Sequence, residues 1–151
     1  MNSTMNFLRP VQIIFASIVL SPIIFLAIII YLHSGSEQKT ADFSDPLLYA
    51  GIIFGTSAVI GSTLMYRLRI PAIKRMENLN EKLNAWRSIF IVAIALIEGA
   101  TLFAAVCLFV TGYDIFLYIS AALLSAQFMN LPTREKIKKD LELDDEVTAQ
   151  L

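Results

Sequence analysis

The sequence has very few of the residues that build metal centres, disulfides or enzyme active sites. It contains one cysteine, Cys107, and one histidine, His33, so neither an internal disulfide nor a zinc-type cluster can form. It has no phosphate-binding glycine loop, metal-ligand motif or nucleophile elbow, and no lysine lies inside an apolar stretch. We therefore predict no metal site, no cofactor and no enzyme activity.

Charged residues are also scarce. They make up 17% of the chain, whereas 56% of the residues are hydrophobic and the mean hydropathy is +0.65. A typical soluble domain has about 25% charged residues, so this composition excludes a disordered chain and favours an integral membrane protein. The net charge of −1 gives no basic field for nucleic acid. We therefore predict the lipid bilayer, and not nucleic acid, as a partner.

Four apolar stretches meet or approach the length of about 20 residues that a helix needs to cross a bilayer. They cover about residues 11–32, 47–66, 86–111 and 115–130. They predict an all-α, four-helix membrane bundle over residues 1–131, followed by a charged tail over 132–151. The first stretch is too long for a secretory signal and is expected to be a retained helix that faces lipid.

The basic residues indicate the orientation of the bundle. Lys39 lies in the first loop, and the other eleven of the twelve Lys and Arg residues lie in the N-terminal tail, the second loop and the C-terminal tail. The positive-inside rule then places both termini in the cytoplasm, and the compact form indicates a bacterial inner membrane. The C-terminal tail is basic first, next to the membrane, and then acidic, and its acidic end over residues 140–146 is expected to be a solvated, partly frayed helix.

Apolar residues recur at helical spacing after Pro71. This pattern predicts that the third helix begins in the cytoplasm and runs into the membrane without a break, and the alternative is a helix that lies flat on the bilayer. The second loop also forms a basic surface for the cytoplasm or for lipid head groups. Its members are Arg67, Arg69, Lys74, Arg75 and Lys82.

Glu98 is the residue that indicates a function most directly. It lies near the middle of the third apolar stretch, where a charged carboxylate costs several kcal/mol. Because no other apolar stretch carries a Lys or Arg near that depth, one subunit has no intramembrane counter-ion for it. Glu98 is therefore either a proton or cation site or a neutral residue that holds helices together through a hydrogen bond.

Small residues form a stripe on the second stretch, and hydroxyl groups accompany it. The stripe members follow each other at helical spacing, with one more glycine beside them: Gly51, Gly55, Ala58, Ser62 and Gly61. Such a face lets two helices pack closely, so we expect it to receive the third helix, with Glu98 at or beside it. The hydroxyls expected near the carboxylate belong to Thr56, Ser57 and Thr101.

The run ALIEGATLFAAVCLF, which contains Glu98, resembles the C-terminal helix of the proteolipid c subunit of rotary ATPases. In that family a mid-membrane carboxylate follows a short Ala/Leu run, and the preceding helix carries a glycine-rich stripe. The likeness is local and covers about residues 49–109. It implies that Glu98 is the ion-binding carboxylate.

Three classes of function remain open at this point. The first is an ion- or proton-coupled transport element or subunit that works through Glu98. The second is a structural or assembly subunit that docks a partner through the basic loop and tail. The third, a membrane enzyme, lacks a set of convergent polar residues. One acid without a counter-ion provides too few polar groups for an ion pathway through a single copy of the chain. The transport interpretation therefore predicts a homo-oligomer or a subunit of a larger membrane complex.

Overall fold

A computed structural model describes residues 7–33 and 39–145 of the chain. Within these ranges the protein is helical and has no β-strand. The helices are α1 (Leu8–His33), α2 (Pro46–Lys74), α3 (Leu79–Thr111), α4 (Asp114–Met129) and α5 (Arg134–Leu141). The prediction of an all-α chain is confirmed. Residues 1–6 and 34–38 of the predicted membrane domain and 146–151 of the predicted tail lie outside the described residues.

Helix length divides the helices into two groups. α1, α2 and α3 are each long and apolar enough to cross a membrane. α4 has 16 residues and a length of about 24 Å, which is short of the roughly 30 Å of bilayer hydrocarbon. It passes the same test only together with α5, to which it is joined at a bend of 75°. By length and composition, the described residues therefore include three helices that could cross a membrane, or four if the bent pair is one span.

The turn between α2 and α3 lies later in the chain than predicted. α2 continues through Pro71 to Lys74, and α3 begins at Leu79. Asn78 ends the turn because its side-chain oxygen accepts a hydrogen bond of 3.0 Å from the amide of Asn80, which caps the new helix. α3 does begin seven residues before Trp86, at Leu79. The prediction of an unbroken helix from Pro71 onward is wrong, because the chain turns between Lys74 and Leu79.

α3 is the central helix and packs against α1, α2 and α4. α1 was expected to face lipid, and it does bury one side against α3, while its other sides stay exposed. Its buried residues recur every three or four positions: Val11, Phe15, Val19, Pro22, Leu26 and Ile29. This spacing places them on one helical face.

The two ends of the bundle differ in chemistry. We call the end that holds the α2–α3 turn and α5 the basic end. At the opposite end α3 stops at Gly112, whose φ of 72° is a left-handed conformation that favours glycine. The Gly112 amide donates a hydrogen bond of 2.8 Å to the carbonyl of Leu108. The chain therefore reverses tightly into α4 at this end.

α5 packs against the basic end of the bundle. Ile137 and Leu141 are fully buried in the apolar cluster that also contains Trp86, Leu83 and Ile73. The expectation of a solvated, frayed acidic end over residues 140–146 is therefore wrong at Leu141, which is buried. The signal was present in the sequence, since two apolar residues four positions apart in a charged segment share one face of a helix.

Candidate functional site

Glu98 lies halfway along the apolar part of α3, between Trp86 and Thr111. It follows Trp86 by twelve residues and precedes Thr111 by thirteen. At 1.5 Å per residue these separations are about 18 Å and 20 Å. Both exceed half of the roughly 30 Å hydrocarbon thickness, so the side chain lies deep between the two ends of the apolar stretch.

The carboxyl of Glu98 faces α1. It lies close to the hydroxyl of Ser21 on α1, and the Glu98 side chain is half-buried. Beyond this contact an apolar groove of about 500 Å³ runs between α1 and α3, lined by residues that include Ser21, Ile24, Ile28 and Leu102. Leu102 is one helical turn from Glu98. We call this the α1–α3 groove, and Glu98 lies beside it.

The three hydroxyls predicted to surround Glu98 are engaged or placed elsewhere. Thr101 is fully buried and donates a hydrogen bond of 2.8 Å to the carbonyl of Ile97. Ser57 is exposed and donates to the carbonyl of Phe54 at 2.9 Å. Thr56 lines a groove between α2 and α4. The hydroxyl group that lies near the Glu98 carboxyl is that of Ser21 on α1, which was not among the predicted partners.

The small-residue stripe of α2 faces inward. Gly51, Gly55, Ala58 and Ser62 are all buried, whereas Gly61 has open space where a Cβ atom would lie. The stripe meets two helices. A Cβ atom added at Gly51 or Gly55 would contact side chains of α4, and Ala58 shares a buried cluster with Ile97 and Ala100 of α3. Small residues therefore let α2 approach both α3 and α4.

The basic end holds a polar cluster that sequence reasoning missed, formed by Tyr66, Trp86 and Asp140. We call it the Asp140 cluster. The fully buried Trp86 donates from Nε1 to the Tyr66 hydroxyl at 2.8 Å and to the Asp140 carboxylate at 3.1 Å. Tyr66 in turn donates to the same carboxylate oxygen. Three helices, α2, α3 and α5, are thereby joined at one carboxylate.

An ion pair strengthens the attachment of α5. The Lys74 ammonium lies 2.6 Å from the Glu142 carboxylate, just past the end of α5. Through this hydrogen bond and its charge, Lys74 lowers the pKa of Glu142 below its ordinary value. A carboxylate with a lowered pKa in the folded state stabilises the fold above its unfolded pKa, and this stability is lost as the pH falls through the folded pKa.

Glu142→Gln is expected to reduce the acid dependence of stability. Since Glu142 is largely exposed, the effect is small and weakens with salt. Thermal unfolding midpoints measured between about pH 7 and pH 3 test it. The wild-type midpoint should fall more steeply on acidification than that of the variant, while Glu77→Gln, an exposed acid in the α2–α3 turn, should follow the wild type. Identical profiles for wild type and Glu142→Gln would contradict the assignment.

The predicted basic surface divides into exposed and partly covered residues. Arg67, Arg69 and Arg75 are exposed, and Lys74 and Lys82 are half-buried. Arg67 also lines a cavity of about 160 Å³ between α2, α3 and α4. We call this the basic-end cavity. Its polar lining residues are Ser62, Thr63, Tyr66, Arg67, Asn130 and Lys136.

The described residues thus offer two polar sites in an apolar bundle: a carboxyl at mid-depth and a cationic cavity at the basic end. Within the described ranges no three His, Cys, Asp or Glu side chains come together in a way that could hold a metal ion. A carboxyl group such as that of Glu98 can take up a proton or a monovalent cation, and paired cations such as Arg67 and Lys136 can attract an anion. Comparisons with protein-family models, with curated proteins and with solved structures found no match.

Proposed function

We propose that this chain is a proton- or monovalent-cation-binding subunit of a membrane transport assembly, with Glu98 as the binding group. The observation that carries the proposal is a half-buried carboxyl at mid-depth of the apolar stretch, close to the Ser21 hydroxyl of α1. We further propose that the basic end lies in the cytoplasm, with both termini on that side of a bacterial inner membrane.

The apolar surroundings of Glu98 favour a carboxyl group whose negative charge is neutralised by a bound proton or cation. A bare carboxylate is costly in hydrocarbon, so this group holds a proton or pairs with a cation. A proton needs only the carboxyl. A bare monovalent cation needs several oxygen ligands, and Ser21 supplies one beside the carboxyl. The proton is therefore the simpler ligand for one copy of the chain.

A second copy of the chain would complete the environment of Glu98. The α1–α3 groove beside it is lined by apolar side chains that stay exposed, with Ile24 50% and Ile28 51% exposed. Packing another helix into this groove would bring a second Glu98 or another polar group toward the first. We therefore propose a homo-oligomer, because Glu98 has few polar neighbours within one copy of the chain and an exposed apolar groove lies beside it.

Carbodiimide labelling tests the proposal, because carbodiimides react with protonated carboxyls in apolar surroundings. The full-length chain in mild detergent is treated with dicyclohexylcarbodiimide across a pH series, with and without sodium, and the label is located by mass spectrometry. We expect label on Glu98 that disappears at high pH, or that sodium slows. Glu98→Gln should remove this label and abolish transport while the fold is retained.

Glu81→Gln is the matched control, since Glu81 is an exposed acid on the first turn of the same helix. It should leave both the labelling of Glu98 and the activity unchanged. If Glu98 stays unlabelled at every pH while the exposed acids react, its carboxyl is a fixed structural group and the transport proposal fails.

A second candidate function is an assembly subunit that docks a partner protein at the basic end. It is favoured by the exposure of Arg69 and Arg75, which form no ion pair within the described part of the chain. This function would survive Glu98→Gln and fail on charge reversal of Arg69 and Arg75. The two candidates therefore respond in opposite ways to the same pair of variants.

A further inference from the structure

The basic-end cavity is a partly enclosed space that lies where the apolar part of the bundle ends. Its volume is about 160 Å³, against the roughly 10–15 Å³ that a single water needs. Side chains of α2, α3 and α4 form its walls, and Lys136 reaches it from α5. The cavity is thus large enough for a small polyatomic ion or a lipid head-group fragment.

Two cations face this cavity. Arg67 is exposed and forms no hydrogen bond or ion pair within the described residues. Lys136 is held in place, since its ammonium donates to the Asn130 side-chain oxygen at 3.1 Å and lies 5.5 Å from the centre of the Tyr66 ring. The Asn130 amide is itself fixed by a 2.9 Å hydrogen bond to the carbonyl of Ala126. Lys136 therefore keeps donors for another partner.

Negative charge is missing from the cavity. The described residues that line it include no carboxylate. Asp140 lies next to Tyr66, but its carboxylate accepts hydrogen bonds from both Tyr66 and Trp86. Two like charges at one partly enclosed site repel each other, and an anion between them removes this cost. The cavity thus has the positive charge and the hydrogen-bond donors of an anion site, and no carboxylate among its described lining residues neutralises that charge.

We propose that the basic-end cavity binds a phosphate group, with Arg67 and Lys136 as its cationic ligands and the Thr63 hydroxyl at its wall. A guanidinium can hold two phosphate oxygens at once, and an ammonium acts as a point charge on a third. Basic pockets between membrane helices at the cytoplasmic side bind anionic head groups in this way. The phosphate group could belong to a lipid or be free in solution.

A neighbouring apolar groove distinguishes these two sources. The groove has a volume of about 340 Å³, runs between α2 and α4, and shares Val59 with the cavity. Its other lining residues are mainly apolar, including Ile52, Ile60 and Ile119. A phospholipid could place its head group in the cavity and an acyl chain in the groove. We therefore expect an anionic phospholipid to bind more tightly than free phosphate.

The experiment titrates the full-length chain in mild detergent with phosphatidylglycerol, phosphatidylcholine and inorganic phosphate in separate series. The dissociation constant is obtained from the ligand-dependent rise of the thermal unfolding midpoint. We expect phosphatidylglycerol to bind more tightly than phosphatidylcholine. Arg67→Gln and Lys136→Gln should each weaken that binding by about tenfold or more, as for lost hydrogen bonds to charged groups.

Matched controls separate a built site from diffuse surface charge. Arg69→Gln and Lys139→Gln remove the same charge from exposed residues of α2 and α5 that do not line the cavity. They should change the dissociation constant by no more than about twofold. Arg67→Gln should not lower the ligand-free midpoint, because the Arg67 side chain has no ion pair to lose among the described residues and its removal relieves the repulsion from Lys136.

The outcomes assign the source or overturn the proposal. Tight binding of inorganic phosphate that depends on Arg67 and Lys136 supports the site and assigns it to free phosphate. Binding of phosphatidylglycerol alone with the same dependence assigns it to a lipid. Equal weakening by the control variants, or no binding of either anion, overturns the proposal. None of these results depends on Glu98, so they stand apart from the test of the transport function.

Discussion

Replacing Trp86 with alanine is expected to lower the free energy of unfolding by about 3–5 kcal/mol, the range for truncating a buried large aromatic residue. Trp86 is fully buried, stacks on Phe90 with ring centroids 5.0 Å apart, and donates to both Tyr66 and Asp140. Alanine removes the packing and the hydrogen bonds together. Equilibrium unfolding of the purified chain in mixed micelles measures the change.

Trp86→Phe is the control that separates packing from hydrogen bonding. It keeps an aromatic ring against Phe90 and removes the Nε1 donor, so about 1–3 kcal/mol should be lost with its hydrogen bonds to Tyr66 and to the Asp140 carboxylate. Asp140→Asn should weaken the same contacts without changing the volume of the cluster. If Trp86→Ala lowers stability by less than Trp86→Phe does, Trp86 does not anchor the basic end.

Gly51→Ala and Gly61→Ala are expected to shift stability in opposite directions. A Cβ atom at Gly51 would overlap Cε1 of Phe116, a fully buried ring, so the ring or the helix must move. Overpacking of this kind typically costs about 1–3 kcal/mol. A Cβ atom at Gly61 meets nothing within 4 Å, and alanine there should stabilise α2 by about 0.5–1 kcal/mol. Unfolding in mixed micelles compares the two variants.

The cause of the Gly51 effect can be isolated with a second substitution. Phe116→Leu leaves room beside Gly51, so the double variant should recover part of the stability lost by Gly51→Ala. The two substitutions are then coupled rather than additive. Stabilisation by both alanines, or full additivity of Gly51→Ala and Phe116→Leu, would mean that the contact between α2 and α4 is looser than the structure describes.

Several elements follow directly from local sequence patterns. Long uncharged runs predict α1, α2 and the apolar part of α3, because a helix is the simplest spanning element that pairs all of its backbone groups in lipid. The spacing of Gly51, Gly55, Ala58 and Ser62 places them on one helical face, and the structure buries that face. Patterns of this kind depend only on neighbours within a few turns of the same helix.

The direction of Glu98 and the packing of α5 depend on more distant neighbours. α3 is apolar on nearly all sides, so its sequence does not tell which side meets α1 and which meets α2. The sequence of α3 therefore did not indicate that Glu98 lies close to Ser21 of α1. The Asp140 cluster joins residues up to 74 positions apart, and no local pattern pairs Tyr66 with Asp140. The start of the acidic end was predicted to be solvated because the sequence does not show that Asp140 accepts a hydrogen bond from Trp86.

The placement of Trp86 gives the chain an optical reporter of its own. It is the single tryptophan of the sequence, and it lies at the contact that α5 closes. Withdrawal of α5 would transfer the indole from a buried, hydrogen-bonded place to water and shift its emission, with no second tryptophan to obscure the change. Because Tyr66 belongs both to the Asp140 cluster and to the wall of the basic-end cavity, occupation of that cavity would register in the same fluorescence.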